Sequence, residues 1–256
     1  MKKLLFFLAL GSFLYADPIK VAMDNEFPPF EYQKDGNIIG FDVDLATEIS
    51  KRTGLEFQIV YVPYNDACAA INSGSVDIGI SAFATDDATK DCDHGLSYFE
   101  SSYVFIKNKN RDDIKNAADL KDKKVAYDRD SSAMKDFIID LGARPIPKRA
   151  GTIIPSLLSL SEGQVDSVMV YDLNMPVVHG DTEFLTQNDI DKLEFISGGL
   201  ESFAVFDKQH GYDSETFAIF PKDGRHEELK KKINGAILSM RQDGFIKKLL
   251  EKYKIN

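Results

Sequence analysis

Three aspartates stand where strand-like runs end: Asp24 after Ile19 to Met23, Asp128 after Val125 to Tyr127, and Asp172 after Val168 to Tyr171. Open α/β sheets bind ligands beyond the carboxyl ends of their strands, so these side chains are candidates to face a ligand. Carboxylates beside aromatic faces favour a cation, through ion pairs and cation–π contacts. An Asp after a strand also serves as a plain helix or turn cap, and each of the three carries both readings. Carboxylates suit hard metal ions as well, but no metal site is assigned. Arg129, Ser131 and Ser132 open a helical pattern. That is either an anion site made of helix N–H groups or a simple cap.

Signs of catalysis are missing. The chain has no G-x-S-x-G, no Walker loop, no H-E-x-x-H and no G-x-G-x-x-G. Its four histidines, His94, His179, His210 and His226, are scattered without metal-ligand spacing. The reading is a binding protein, with no catalytic residue and no cofactor. The net charge of −10 argues against nucleic acid or an anionic membrane as partner, since phosphate needs a basic face.

Lys2 and Lys3 precede the apolar run Leu4 to Leu14, and polarity returns at Asp17 after Tyr15-Ala16. That is the shape of a secretory signal peptide over residues 1–16, which predicts a periplasmic location. The run is too short for the ~20 residues of a spanning helix. In an oxidising compartment Cys68 and Cys92 either form a disulfide or stay as two buried thiols.

The elements that would position these residues alternate between strand and helix, which predicts an α/β fold. Ile19 to Met23 reads as a strand, and Pro28-Pro29 forbids helix after it. Phe41, Leu45 and Ile49 lie on one helical face, closed by Gly54. Phe57 to Val62 is a strand, Asn65 or Asp66 caps a short helix ending near Gly74, and Val76 to Ser81 is a buried strand. A second round follows the polar stretch Lys107 to Lys115. It has a strand at Val125 to Tyr127, a helix from Ser131 or Ser132 to Gly142, a helix over Ile153 to Ser161, and a strand at Val168 to Tyr171. Phe195-Ile196, Phe203 to Phe206 and Phe217 to Phe220 read as further strands, and Glu227 to Gln242 and Gly244 to Lys254 as closing helices.

Several runs resemble family 3 of the bacterial extracellular solute-binding proteins, in order along the chain. They are Val21 to Phe30, Gly40-Phe41-Asp42-Val43-Asp44-Leu45, Ile71 to Ile78, Asp119 to Ala126, Gly163 to Val168, and the closing helices around Ile233-Asn234-Gly235-Ala236 and Asp243-Gly244. The resemblance implies a two-lobed fold with two chain crossings at a hinge. Lobe 1 would comprise residues 17–106 and 212–256, and lobe 2 residues 112–207. The crossings would fall near Lys107 to Arg111 and Lys208 to Gly211. It also implies a monomer that captures a small solute between the lobes and delivers it to an ABC permease in the inner membrane.

The resemblance marks Phe27, Tyr64 and Tyr171 as aromatic neighbours of the ligand, Asp172 as the position that takes a ligand ammonium, and Asp24 and Asp128 as further contacts. In amino-acid binders of the family, the strand at Ser81-Ala82 runs on to a Thr and an Arg that grip the ligand α-carboxylate. Here Ala84 takes the Thr place and Thr89 the Arg place, with Lys90 one residue on. Asp86, Asp87, Asp91 and Asp93 surround that segment. The expected ligand is therefore cationic or rich in donors: a basic amino acid in a variant pose, a polyamine or a quaternary amine. Should it carry an acid group, Arg129, Ser131 and Ser132 would replace the clamp. The alternative is a dehydratase-like enzyme on the same fold, against which the missing Arg weighs.

Overall fold

The computed structural model describes residues 17–149 and 151–255; the expected signal peptide at 1–16 lies outside them. The first half runs β1 (Ile19–Met23), β2 (Glu26–Phe27), β3 (Glu31–Lys34), β4 (Asn37–Ile39), α1 (Phe41–Thr53), β5 (Phe57–Tyr61), α2 (Ala67–Ser73) and β6 (Ile78–Ala84). The long strand β7 (Cys92–Asn108) leads into β8 (Lys124–Asp128), α3 (Ser132–Asp140), β9 (Arg144–Lys148), α4 (Ile154–Ser161), β10 (Ser167–Tyr171), α5 (Met175–Val178) and α6 (Gln187–Leu193). A second long strand, β11 (Phe203–Pro221), returns the chain to α7 (Glu227–Gln242) and α8 (Phe245–Lys252).

The sheet order is β5-β1-β6-β11-β7-β10-β8-β9. Strands β5, β1 and β6 are parallel, as are β10, β8 and β9. Between these trios lie β7 and β11, paired antiparallel from Phe203↔Asn108 to Pro221↔Cys92. Strand β6 joins β11 at Thr216 to Ile219, whereas β10 joins β7 at Tyr103 to Ile106. Each trio is thus attached to a different stretch of one ladder, and between the two stretches the pairing register shifts at His210/Glu215. Apolar clusters follow the same division. Leu45, Ile49, Ile80, Ile237 and Met240 pack around the first trio, and Ile106, Leu157, Leu160, Val168 and Val170 around the second.

Most elements form where the pattern predicts, and the exceptions have local causes. Helix α1 begins at Phe41 and ends at Gly54 in the left-handed conformation, at φ 69°. Neither Asn65 nor Asp66 caps α2, because a 3-10 turn over Tyr64–Asp66 leads directly into the helix. Phe195-Ile196 is not a strand: the pair sits in a turn after α6, with the Phe195 side chain exposed. The two runs at 203–206 and 217–220 are ends of the single strand β11. Strand β9, with Pro145 and Pro147, is tolerated because it lies at the sheet edge and bonds β8 through the intervening residues, Arg144 N–H donating to the Lys123 carbonyl at 2.8 Å. Gly40 lets the Pro29-Phe30 backbone close on the start of α1, where a Cβ would come within 2.2 Å of the Phe30 carbonyl oxygen.

Cys68 and Cys92 form a disulfide with Cα atoms 5.7 Å apart, tying α2 to the start of β7. The bridge closes a 24-residue separation, which by chain entropy stabilises the fold by about 3 kcal/mol. Reduction, or a Cys68→Ser/Cys92→Ser double variant, should lower the thermal midpoint by several degrees at unchanged circular dichroism. An unchanged midpoint under reductant would show that α2 and β7 hold each other without it.

Candidate functional site

A cleft of about 800 Å³, open solvent at its mouth included, lies at the carboxyl ends of the strands. Its floor is a buried polar chain. The Asp24 N–H donates to Ser81 Oγ (2.9 Å), and the Ser81 hydroxyl donates to Glu31 Oε1 (2.8 Å). Glu31 in turn hydrogen-bonds Asp42, which also accepts from the Ala82 N–H (2.6 Å) and from Tyr98. Burial and the adjacent Asp42 hold the Glu31 carboxyl well above the usual carboxylate range, so it keeps its proton and donates. Burial raises Asp42 too, but the hydrogen bonds from Glu31, Tyr98 and Ala82 favour its anionic form. These bonds fix Ala82 at φ 46°, a left-handed conformation uncommon for alanine, where β6 turns into the cleft.

Aromatic rings form the walls. Phe27 stacks on Phe30 with centroids 5.9 Å apart and meets Tyr171 edge-on at 6.4 Å. Tyr64 leans on Phe83 at 5.1 Å. The charged lining is acidic: Asp24, Glu26 and Asp86 from the first half, Asp128 and Asp130 from the second. Asp24 accepts N–H bonds from Asn25, Glu26 and Tyr64 at 2.5, 3.2 and 2.8 Å, which aims it along the mouth of β1. Asp128 accepts from the Asp130 N–H (3.0 Å) and the Gly151 N–H (3.2 Å). Burial pushes its carboxyl up to about 6 despite these two donors. Among the described residues that line the cleft there is no Lys, Arg or His. Nor does any group of three or more His, Cys, Asp or Glu among the described residues form a metal-holding cluster.

Of the residues singled out from the sequence, the structure brings Asp24, Phe27, Tyr64, Ala82, Asp128, Ser131 and Tyr171 to the cleft lining. It places the others elsewhere. Ser81 lies beneath the lining, between Asp24 and Glu31. The Thr89 hydroxyl donates to the Ala84 carbonyl, and Lys90 points outward beside Asp87 at 3.4 Å. Arg129 is exposed beside Asp130 at 3.7 Å. Ser131 is the N-cap of α3, accepting the Met134 N–H (3.1 Å) and the Tyr171 hydroxyl (3.3 Å). Ser132 Oγ accepts the Asp87 N–H at 3.2 Å, across the cleft mouth. Asp172 is outside the lining and pairs with Lys208 at 2.8 Å. Glu26, Glu31, Phe99, Ser101, Asp130 and Thr216 line the cleft without having been singled out. Glu31 and Asp130 stood within a few residues of recognised positions, but Phe99, Ser101 and Thr216 arrive on β7 and β11, whose pairing no local pattern reveals.

The two halves meet around the cleft. Glu26 approaches Arg149 at 3.9 Å, and Lys254 pairs with Asp181 (2.7 Å) and Glu183 (2.6 Å). Gly151, at φ 76°, sits so close to β2 that a Cβ there would come within 2.0 Å of the Glu26 carbonyl oxygen.

The cleft lies between two α/β halves and is acidic and aromatic among the described residues, and known proteins share its architecture. A "Probable histidine-binding protein" of Campylobacter jejuni is 26% identical, over 93% of this chain and 85% of that one. The "Arginine-binding extracellular protein ArtP" of Bacillus subtilis is 25% identical over 89% and 82%. Among solved structures, an ancestral arginine-binding protein bound to arginine superposes with a TM-score of 0.69 at 25% identity, covering 92% and 97%. The arginine-, lysine-, histidine-binding protein ArtJ of Geobacillus stearothermophilus superposes with a TM-score of 0.68 at 26% identity, covering 92% and 94%. These are two-lobed solute-binding proteins, not enzymes. The model of the bacterial extracellular solute-binding proteins, family 3, matches residues 19–256, and the chain belongs to that family.

Proposed function

We propose that this protein is the periplasmic, monomeric receptor of an ABC importer, and that it captures a small cationic solute of amino-acid size and presents it to an inner-membrane permease. The observation that carries the charge of the solute is Asp128. Its carboxylate is half-buried, held by two backbone N–H groups, and faced by no cationic side chain among the described lining residues. A ligand ammonium or guanidinium would supply the missing countercharge, and the rings of Phe27, Tyr64 and Tyr171 would hold its faces. Relatives that bind arginine or histidine support a basic solute of this size. Residues 17–106 with 212–256 form one lobe, residues 112–207 the other, and residues 1–16 a signal peptide. The hinge lies in the β7–β11 ladder, and ligand binding selects the closed state about it. A dehydratase finds no support, since family and relatives are receptors.

Thermal unfolding of refolded, ligand-stripped protein against a panel tests this. A ligand at 100 times its Kd adds about 2.7 kcal/mol, so basic amino acids, polyamines or quaternary amines should raise the midpoint by several degrees and neutral or acidic amino acids should not. Shifts only with acidic ligands would refute the cationic reading. Asp128→Asn should abolish the shift. It should also raise the stability of the ligand-free protein at pH 7.5 by up to roughly 2–3 kcal/mol, less whatever bond the amide loses, because the wild-type carboxyl titrates near 6 instead of 3.8. That gain is full above pH 6, shrinks as pH falls from 6 to 4, and is gone below 3.8, where the wild-type acid is protonated folded and unfolded alike.

Cation affinity should rise with pH through about 6 and level off above it, since the cation binds the ionised Asp128. Calorimetry across pH 5–8 reads this directly, and an affinity flat over that range would remove Asp128 from the contact. Gly151→Ala, which forces the backbone at residue 151 off β2, should weaken binding at least about tenfold while leaving the melting transition cooperative. Unchanged affinity would mean the halves need not meet at Glu26.

A further inference from the structure

We infer that the cleft takes a cation without a carboxylate: an amine, diamine or guanidine of amino-acid length, and not the amino acid itself. The inference rests on the reading of the cleft as a cation receptor and narrows it to one chemical class.

The argument starts at the turn after β6, where a ligand carboxylate would need donors. That turn already holds a carboxylate of its own. Asp86 Oδ1 accepts the N–H groups of Ala88 (2.9 Å) and Thr89 (3.1 Å), and Oδ2 accepts the Tyr64 hydroxyl (2.8 Å). The remaining nearby donors are spent inside the protein. The Ala82 N–H serves Asp42, the Ala84 N–H serves Tyr64 Oη at 3.2 Å, and the Thr89 hydroxyl serves the Ala84 carbonyl. Asp86 therefore fills the donor nest from within, and a second carboxylate there would meet a negative charge instead of hydrogen bonds.

The cations nearest the cleft lie outside its lining. Lys90 faces solvent beside Asp87, Arg129 lies beside Asp130, Arg149 lies by Glu26, and Lys208 pairs with Asp172 Oδ2. Lys208 pairs with Oδ2 of Asp172, the carboxylate that the family resemblance assigns to a ligand α-ammonium, at 2.8 Å, and leaves Oδ1 buried without a hydrogen-bond partner. The carboxylate end of an amino-acid head group thus finds its position taken by the protein's own charge, while the ammonium end keeps an acceptor. The start of α3 is the remaining source of N–H groups, but Asp128 and Asp130 flank it and Ser131 caps it. An anion at that point would sit against two half-buried carboxylates. Beside hydroxyls such as that of Ser101, what the cleft offers is carboxylate oxygens and ring faces, which recognise N–H donors and positive charge.

The test compares ligands that differ only in the α-carboxylate: arginine with agmatine, lysine with cadaverine, histidine with histamine. Isothermal calorimetry on the stripped, refolded protein at pH 7.5 gives the ratio within each pair. The expected result is a preference for the amine of at least about 100-fold in every pair that binds. Equal or tighter binding of the amino acid would overturn the inference while leaving the cationic reading intact, and would place the carboxylate at the first N–H groups of α3. If neither member of any pair binds and no other cation raises the midpoint, the cationic reading fails and this inference with it. Asp86→Ala, which vacates the nest, should narrow the amine-to-amino-acid ratio. An unchanged ratio in a variant with a cooperative melt would show that Asp86 is not what excludes the carboxylate.

Discussion

The binding cleft is organised around one shared proton. Glu31 and Asp42 are both buried and come from different elements, β3 and the start of α1. Two neighbouring carboxylates this deeply buried disfavour a double charge, and burial with the adjacent Asp42 raises Glu31, the member that keeps its proton. From that pair the rest follows in order. Glu31 receives Ser81, Ser81 receives the backbone of Asp24, and Asp42 receives the backbone of Ala82. The ends of β1 and β6, the small β2-β3-β4 sheet and α1 are thereby locked to one another beneath the ligand. The turn of Ala82 into the left-handed region is held by two acceptors, Asp42 and Tyr98. A cleft floor fixed this way is cross-braced within the first half of the fold, and only the β7–β11 ladder carries the sheet on to the second.

Charge is distributed in keeping with that division. Asp24 and Asp86 reach the cleft as turn-forming carboxylates whose oxygens are largely satisfied by N–H and O–H groups of their own turns. Asp128 is different: its two N–H partners do not offset its desolvation, which holds its carboxyl above the usual range and makes the charged form costly in the empty protein. The pattern is expected of binding sites, which hold groups in environments that suit the complex better than the empty protein.

Much of this was legible in the residues. Alternating strand and helix patterns located β1, α1, β5, β6, β8, α3, α4, β10 and the two closing helices, because each has a local period or a local stop such as Gly54. The strand-end aspartates Asp24 and Asp128 were legible for the same reason. Long-range partners were not. The 17 residues of β7 carry no clean alternation, since the strand changes its neighbours along its length, and β11 shows only its apolar ends. Asp172 has a recognisable sequence context, but what decides its role is Lys208, which lies on another strand and appears only in three dimensions. Thr89 and Lys90 show the same limit, because a turn geometry set by Asp86 sends one inward and the other outward.

Strand β9 has an implication of another kind. In a parallel strand, alternate residues address opposite neighbours; Arg144 bonds towards β8, so positions 145 and 147 face away from the sheet. Both are proline. The free margin of the sheet therefore presents no N–H at either place, and an incoming strand would find acceptors without the matching donors. An edge so disarmed resists self-association through β-pairing.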